Sequence, residues 1–389
     1  IYMTYQDNFQ KWLNYKELPD YLRTELQQMD EKTKEDAFYT NLEFGTAGMR
    51  GLIGAGTNRI NIYVVRQATE GLARLIDEKG PEFKKRGVAI AYDSRHFSPE
   101  FAFESALVLA KHGIKSYVFE SLRPTPELSF AVRHLGTFAG IMVTASHNPA
   151  PFNGYKVYGE DGGQMPPHDA DALTEYIRKI ENPFAIEVAD LETEKSTGLI
   201  EIIGEAVDKE YLKEVKDVNI NQKLIDEYGK TMKIVYTPLH GTGEMLARRA
   251  LAQAGFDSVQ VVEEQVVPDP DFSTVKSPNP ESQAAFALAE ELGRKVDADV
   301  LVATDPDADR LGVEIRQNDG SYKNLSGNQI GAIIAKYILE AHKSAGTLPK
   351  NPALAKSIVS SDLVTKIAES YDACLLYTSP SPRDSTSPR

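Results

Sequence analysis

The sequence predicts an α/β protein made of successive domains with mixed sheets, and three observations carry this prediction. From residue 85 onwards, short β-branched runs alternate with amphipathic segments, a pattern typical of layered α/β domains. The same alternation restarts after a charged stretch at 208–226. A chain of 389 residues has room for about two to three domains.

The first predicted domain, 1–205, alternates strands with helices. Its elements are a strand at 88–91, a helix at 99–112, a strand at 116–119, a helix at 126–134 and a strand at 140–143. Ser98 followed by Pro99 and Glu100 predicts a capped helix start, and Gly113 predicts the end of that helix.

The second predicted domain, 206–325, repeats this order. Its elements are strands at 233–236, 258–262 and 299–303, helices at 243–254 and 281–294, and a hairpin of 311–316 with 321–325 around Asn318-Asp319-Gly320. A third domain begins at 326 with a helix at 326–343 and a strand at 358–360. We expect this third domain, 326–373, to be incomplete.

Composition excludes several classes of partner. The net charge of −14 and pI near 5.1 argue against a broad surface for nucleic acid or anionic membranes, which requires clustered Lys and Arg. A single cysteine, Cys374, excludes an internal disulfide framework and favours a reducing compartment. No apolar run approaches the roughly 20 residues of a membrane span. We therefore expect a cytoplasmic protein without an obligate protein partner.

Both ends of the sequence have an unusual composition. Met3 reads as the initiator, after two residues of upstream origin. From 374 to 389 the chain turns to Ser, Pro and Arg and resembles a translated library adapter, so we expect the native part to end near Ala373. The alternative is a disordered Pro/Ser-rich tail.

A candidate site residue follows the last predicted strand of the first domain. The run TASHNP at 144–149 places Ser146 just beyond the carboxyl end of a buried strand, where open α/β sheets bind ligands. Thr144, His147 and Asn148 add polar groups around it. A serine before proline also occurs in ordinary turns, which is the structural alternative.

A second candidate site follows the strand at 299–303. Asp305, Asp307 and Asp309 alternate along one loop, so all three carboxylates can converge. Carboxylates about 4 Å apart repel by roughly 4 kcal/mol at an effective dielectric near 20, a cost that a divalent cation removes. The spacing is too short for a Ca²⁺ loop of the EF-hand type and suits Mg²⁺. The alternative is a solvated acidic turn.

Four weaker signals accompany these motifs. The Gly-rich segment 43–51 with its Thr and Arg can approach a phosphate, and Lys156 can act as a charge partner or proton carrier. Arg95 follows a strand and is at least as consistent with a structural ion pair. His240 precedes a helix that either binds an anion at its N-terminus or simply connects two elements.

The two main motifs, in this order and one domain apart, resemble those of the α-D-phosphohexomutase superfamily. Their sequences are most similar to those of bacterial phosphoglucomutases. The resemblance covers 3–373. It implies that Ser146 carries a phosphoryl group and that Mg²⁺ binds between this phosphate and Asp305, Asp307 and Asp309.

The resemblance also assigns supporting roles. Lys156 matches a lysine that handles a proton, His147 lies next to the phosphoserine, and Arg50 supports the serine loop. The residues expected to bind substrate or phosphate are Thr46, Gly48, Arg95, Asn148, Arg310 and His240.

The implied activity is that of an intramolecular phosphotransferase. Phospho-Ser146 donates to glucose 1-phosphate or glucose 6-phosphate, forming glucose 1,6-bisphosphate, which reorients and returns its other phosphate. Loops that read the sugar and grip the distal phosphate in this family are not found here, and the fourth domain is expected to be absent. Orientation contributes about 7–11 kcal/mol to such reactions, so we expect the chain to be nearly inactive as a mutase.

The same motifs fit several alternative functions. Within the family, phosphomannomutase and other phosphohexomutase or phosphopentomutase activities are alternatives to glucose. Outside it, a phosphatase of the haloacid-dehalogenase type would use Asp305 or Asp307 as nucleophile, and a sugar-phosphate-binding module would not be an enzyme. In every case we expect small-molecule sugar phosphates as partners.

Overall fold

The computed structural model describes residues 4–45 and 48–378, which form two compact units. The first holds the described residues up to Asp208 together with Asp269–Ser273 and Pro306–Asp309. The second holds Lys209–Pro268, Thr274–Asp305 and the described residues from Arg310 onwards. The segment that contains Asp307 and Asp309 therefore groups with the unit that carries Ser146.

The first unit contains ten helical segments and one 3-10 turn among the described residues. They are α1 (Tyr5–Leu13), α2 (Asp20–Gln28), α3 (Glu31–Phe38), α4 (Ile62–Lys79), α5 (Pro81–Arg86), α6 (Ser98–Lys111), α7 (Thr125–Leu135), α8 (Pro167–Arg178), α9 (Leu191–Thr197) and the start of α10 (Glu205–Asp217), with a 3-10 turn at Pro183–Ala185. No helix among the described residues is long and apolar enough to span a bilayer.

A six-stranded mixed sheet forms the centre of this unit. Its strands are β1 (Met49–Leu52), β2 (Val88–Tyr92), β3 (Ser116–Phe119), β4 (Ala139–Val143), β5 (Phe152–Tyr158) and β6 (Ile200–Ile203), in the spatial order β1-β5-β4-β2-β3-β6. β2, β3, β4 and β6 run parallel, whereas β5 pairs antiparallel with both β4 and β1.

The core lies between this sheet and helices α4 and α6. Leu72 and Ile76 of α4, Phe101 of α6 and the strand residues Ile90 and Ile141 are at most 2% exposed and belong to one cluster. Burial of each such side chain contributes about 1.5–3 kcal/mol. This packing makes the strands a rigid base for the loops at their carboxyl ends.

Helices α1 to α3 form a separate small core. The indole of Trp12 meets the rings of Phe38 and Tyr63 edge to face, with centroids 5.9 and 5.6 Å apart, and Leu22 and Leu26 are fully buried. Thr4 and Asp7 form a capping box at the start of α1, which satisfies N–H groups that a helix start leaves without partners.

The second unit repeats the α/β plan. Its elements are α11 (Gln222–Tyr228), α12 (Gly243–Ala254), α13 (Ala287–Val296), α14 (Gly327–Ala345), α15 (Asp362–Ser370), β7 (Ile234–Thr237), β8 (Val259–Val261), β9 (Val300–Thr304), β10 (Leu311–Arg316), β11 (Tyr322–Leu325), β12 (Ala353–Ser357) and β13 (Cys374–Thr378), with 3-10 turns at Glu263–Gln265 and Gln283–Phe286. One sheet has the order β11-β10-β9-β7-β8, and β12 pairs parallel with β13.

The predicted α/β class with mixed sheets is confirmed. Ser116–Phe119, Gly243–Ala254 and Leu311–Arg316 match their predicted bounds. The hairpin is also confirmed, because Arg316 pairs with Tyr322 around a turn in which Gly320 has a φ of 82°.

Three local predictions were wrong. Ser98 does not cap α6: it lies within the helix, Phe97 is the capping residue, and the Ser98 hydroxyl donates to Asp93 instead. The segment 358–360 is a turn, and the strand lies one step earlier at Ala353–Ser357, because Ile358 and Val359 are more than half exposed. The helix predicted at 281–294 begins as a 3-10 turn and becomes α-helical only at Ala287.

The predicted boundary at Ala373 falls next to an ordered element. Cys374–Thr378 form β13 beside β12, so the α/β pattern extends five residues past that boundary. The rest of the predicted tail, 379–389, lies outside the described residues.

Candidate active site

Ser146 occupies a strained position at the carboxyl end of β4. Its φ is 52°, in the left-handed region, and its residue surface is 1% exposed. Its N–H donates to Thr144 Oγ1 at 2.8 Å, and its Oγ lies 3.3 Å from His147 Nδ1. A non-glycine residue held at positive φ costs of order 1–3 kcal/mol and is typical of functional sites. The arrangement presents a fixed hydroxyl next to a titratable ring.

Arg95 holds the backbone of the serine loop. Its guanidinium donates to the carbonyls of Ser146 and Asn148 at 2.6 and 2.5 Å, and to those of Pro149 and Phe152 at 2.9 and 3.0 Å. Arg95 was predicted to bind phosphate or to form a structural ion pair. These four bonds to carbonyls fit the structural alternative, since they tie the donors to the protein itself.

Asp93 and Phe272 complete the surroundings of Arg95. The carboxylate of Asp93 lies 3.4 Å from Arg95 Nε, and the ring of Phe272 lies 4.9 Å from the guanidinium carbon. Burial raises the pKa of Asp93, while Arg95 and a hydrogen bond with Thr144 oppose that rise. Because Thr144 also accepts the Ser146 N–H, the network links β2 to the candidate nucleophile.

Lys156 is paired with the acidic loop within the same unit. Its ammonium lies 2.9 Å from Asp307 Oδ2, and both side chains are fully buried. The hairpin of β4 and β5 positions this lysine, because Lys156 pairs with Met142 near the carboxyl end of β4. Removing one member of a buried ion pair costs about 3–5 kcal/mol. Lys156 therefore fixes one carboxylate of the loop.

Sequence reasoning missed Thr125. Its hydroxyl donates to Asp307 Oδ2 at 2.9 Å, and its N–H donates to the Asp307 carbonyl, also at 2.9 Å. The available signal was its place at the start of α7, after β3, since carboxyl ends of parallel strands share one edge of the sheet. A threonine at a helix start is ordinarily a local structural choice, so its residue type alone does not predict a contact with the aspartate loop.

Three aspartates converge as predicted from their alternation. One carboxylate oxygen from each of Asp305, Asp307 and Asp309 lies within 4.8 Å of the other two. Asp305 and Asp307 are fully buried, and the main-chain N–H of Arg310 donates to Asp305 Oδ1 at 3.0 Å. Clustered oxygen ligands of this kind suit Mg²⁺, and its charge would offset their mutual repulsion.

Arg50 and two glycines bring β1 close to the serine loop. Arg50 Nη1 lies 3.5 Å from Asn148 Oδ1. At Gly154, which pairs with Arg50 across β1 and β5, a Cβ would lie 2.4 Å from the Thr144 carbonyl, so no side chain fits there. Gly48 has a φ of 76° and meets Tyr155 in the same way. Predicted site residue Thr46 lies outside the described residues.

Two predicted phosphate-binding residues belong to the second unit. The Arg310 side chain is 3.5 Å from Glu281 Oε1. His240 is held at both ring nitrogens, 2.9 Å from the Val267 carbonyl and 2.8 Å from Thr274 Oγ1. For the His240 side chain, this geometry fits the alternative of a structural connection between β7 and α12.

Comparison with protein families matches both units. Residues 41–184 match the model described as phosphoglucomutase/phosphomannomutase, alpha/beta/alpha domain I. Residues 209–318 match alpha/beta/alpha domain II of the same family. The two matches together include Ser146 and the aspartate loop and cover more than half of the chain.

Relatives named phosphoglucomutase are similar over most of this chain. A phosphoglucomutase of Staphylococcus epidermidis is 41% identical over 339 residues, which are 87% of this chain and 60% of that protein. A phosphoglucomutase of Staphylococcus haemolyticus is 38% identical over 362 residues, 93% of this chain and 63% of that protein. The chain thus spans about 60% of the length of these relatives.

Solved structures share the fold. A phosphoglucomutase/phosphomannomutase family protein from Burkholderia thailandensis superposes with a TM-score of 0.66 at 18% identity, covering 87% of this chain and 66% of that one. The open form of pp63/parafusin from Paramecium gives a TM-score of 0.66 at 19% identity, covering 87% and 62%. With matches to both domain models of one family, the chain belongs to the phosphoglucomutase/phosphomannomutase family.

Proposed function

We propose that the whole protein interconverts glucose 1-phosphate and glucose 6-phosphate through phospho-Ser146, with glucose 1,6-bisphosphate as the intermediate, and that this chain, which spans about 60% of the length of its relatives, carries the step that phosphorylates Ser146. The strained, buried Ser146 in a loop tied down by Arg95 is the observation that carries the proposal. Two further facts support it: membership of the family, and relatives of about 40% identity that are phosphoglucomutases. Glucose is favoured over mannose by those relatives alone.

The proposed transfer breaks the bond between Ser146 Oγ and phosphorus and forms a bond from phosphorus to a hydroxyl oxygen of the sugar phosphate. The hydroxyl proton leaves for a base, and the serine oxygen is protonated in turn. In the return step the other phosphate of the bisphosphate moves to Ser146. Such transfers depend on in-line positioning and on charge stabilisation more than on covalent help from the protein.

Two titratable side chains are candidates for the proton. His147 Nδ1 lies 3.3 Å from Ser146 Oγ, within reach once the geometry tightens. Lys156 is buried and held by Asp307, so it is fixed in direction. We assign the proton exchange to Lys156, as the family resemblance implies: its ammonium would protonate the departing Ser146 oxygen and, then neutral, accept the proton of the sugar hydroxyl. We assign the orientation of Ser146 to His147.

Asp305, Asp307 and Asp309 would hold Mg²⁺ through carboxylate oxygens. When bound, the ion would neutralise charge on the transferring phosphoryl oxygens. This matters because a serine phosphate carries about −1.5 to −2 charges and repels a dianionic substrate.

The test is phosphorylation of the chain by glucose 1,6-bisphosphate with Mg²⁺, followed by intact-mass measurement and peptide mapping. We expect one phosphoryl group, located on Ser146, that disappears on addition of glucose 6-phosphate. Ser146→Ala should abolish labelling, and Ser196→Ala, at an exposed serine of α9, should not change it. Comparing the rate of labelling by glucose 1,6-bisphosphate with that by mannose 1,6-bisphosphate tests which sugar the protein prefers.

Two results would overturn the proposal. A base-labile phosphate on Asp305 or Asp307 would point to a phosphatase of the haloacid-dehalogenase type. Binding of the bisphosphate without any covalent labelling would point to a binding module.

A further inference from the structure

Thr125 and Asp307 meet across a long stretch of sequence within the first unit. The Thr125 hydroxyl bonds to a residue 182 positions later in the chain. Its main-chain N–H bonds to the same residue at the carbonyl. Thr125 therefore contacts Asp307 at both its side chain and its backbone.

The carboxylate of Asp307 is held by two donors at one oxygen. Oδ2 lies 2.9 Å from Thr125 Oγ1 and 2.9 Å from Lys156 Nζ, and all three residues are buried. Two donors at fixed directions stop the carboxyl group from rotating. Its second oxygen, Oδ1, is then presented in one direction only.

Thr125 is itself held by a rigid neighbour. Arg123, two residues earlier, is 3% exposed and binds both carboxylate oxygens of Asp208 at 2.9 and 3.0 Å. The Arg123 N–H also donates to the Tyr92 carbonyl at the end of β2. A bidentate pair of this kind fixes geometry as well as charge. The start of α7 is thus anchored to the sheet.

We propose that Thr125 is a positioning residue for the divalent metal, acting through its hydrogen bond to the Asp307 carboxylate. The inference rests on the proposed metal-dependent phosphoryl transfer and goes beyond it, because Thr125 belongs to neither motif. Hydrogen-bond partners of metal ligands typically change metal affinity or activity 10- to 100-fold when they are removed. Lys156 donates a charged hydrogen bond to Asp307 Oδ2, whereas the neutral Thr125 hydroxyl orients the carboxylate without adding charge.

The experiment measures Mn²⁺ binding to the chain by electron paramagnetic resonance, without substrate. Thr125→Val removes the hydroxyl and keeps the shape and the main-chain bond. We expect the dissociation constant to rise about 10- to 100-fold. Thr125→Ser should restore wild-type affinity. Thr137→Val is the matched control, since it removes another buried hydroxyl, one bonded to the Ala139 carbonyl, and should leave the affinity unchanged.

The outcomes separate this inference from the proposed function. Wild-type affinity in Thr125→Val, with tight binding in the wild type, would overturn the positioning role alone. Absence of Mn²⁺ binding in the wild type would overturn both the role and the metal-dependent function. If Thr125→Val does not fold, as judged by Trp12 fluorescence, Thr125→Ala replaces it with the same expectation. A loss in Thr125→Ser equal to that in Thr125→Val would also count against the role.

Discussion

The Arg95 guanidinium donates to the main-chain carbonyl of Ser146 at 2.6 Å. The same side chain binds three further carbonyls of the loop, so a single residue on the β2 side sets the path of the backbone that presents the serine. The positive φ of Ser146 persists because these bonds outweigh its strain.

Arg95→Lys should slow phosphorylation of Ser146 by about 100-fold, because one ammonium cannot reach four carbonyls and a displacement near 1 Å has costs of this size. The rate of labelling by glucose 1,6-bisphosphate is the measurement. Arg178→Lys, at an exposed position of α8, is the control. Labelling at the wild-type rate in Arg95→Lys would contradict a positioning role.

Asp309→Asn should raise the Mg²⁺ concentration needed for labelling by at least about 10-fold, since a neutral amide replaces one of three clustered carboxylates. Chelation of Mg²⁺ should stop labelling altogether. Asp297→Asn removes a charge from an exposed site that pairs with Arg316 and should have no effect. An unchanged Mg²⁺ requirement in Asp309→Asn would exclude this loop as the metal site.

The raised pKa of Glu314 predicts that the stability of the second unit depends on pH. Glu314 is fully buried on β10 and pairs with Asn324 of β11. It faces Glu290 and Arg294 of α13. Burial is the main cause that raises its pKa to about 7, and the charge of Glu290 adds to the rise. As the pH rises above about 4.5, the Glu314 carboxyl ionises in the unfolded state but stays protonated in the folded state. The free energy of unfolding therefore falls as the pH rises from about 4.5 to 7. The loss is at most about 3 kcal/mol, reduced by any access of water.

Glu314→Gln should remove this penalty. We expect the variant to exceed the wild type in calorimetric melting temperature at pH 8 and to match it near pH 4.5. A constant difference across this range would show that the pKa of Glu314 is the same in the folded and unfolded protein.

The raised pKa of His112 predicts that the stability of the first unit depends on pH. Its ring lies 2.8 Å from Glu70 Oε2 and 2.6 Å from Asp77 Oδ2, and these hydrogen bonds, with Glu70 first, raise its pKa. Because the folded pKa is raised, the stabilisation is complete below the unfolded pKa near 6.5 and is lost as the pH rises through the folded value. Arg74 and Lys84, which pair with the same two carboxylates, oppose part of the effect.

His112→Gln should abolish this dependence. Trp12, the one tryptophan of the sequence, reports unfolding of the first unit by fluorescence. The wild type should lose stability relative to the variant between pH 6 and pH 9. Parallel curves for the two proteins would rule out the pair of carboxylates as the cause.

Much of this protein was predictable from local sequence. The run before Ser146 predicted a buried strand and the alternation of Asp305, Asp307 and Asp309 predicted a cluster of oxygens, because periodicity and spacing are local properties. Gly320 predicted the hairpin for the same reason. Local patterns failed at Ser98, whose hydroxyl prefers a distant carboxylate to its own helix.

Tertiary structure decided which polar residues act together. Sequence alone could place Ser146 and Lys156 in one region, and it left Arg95 and His240 between functional and structural roles. In the folded chain, the Arg95 guanidinium donates to four main-chain carbonyls. The two ring nitrogens of His240 contact a carbonyl and a hydroxyl. It also brought Thr125 to Asp307. Such pairings join residues far apart in the chain, and only the packing of the elements sets the direction of each donor.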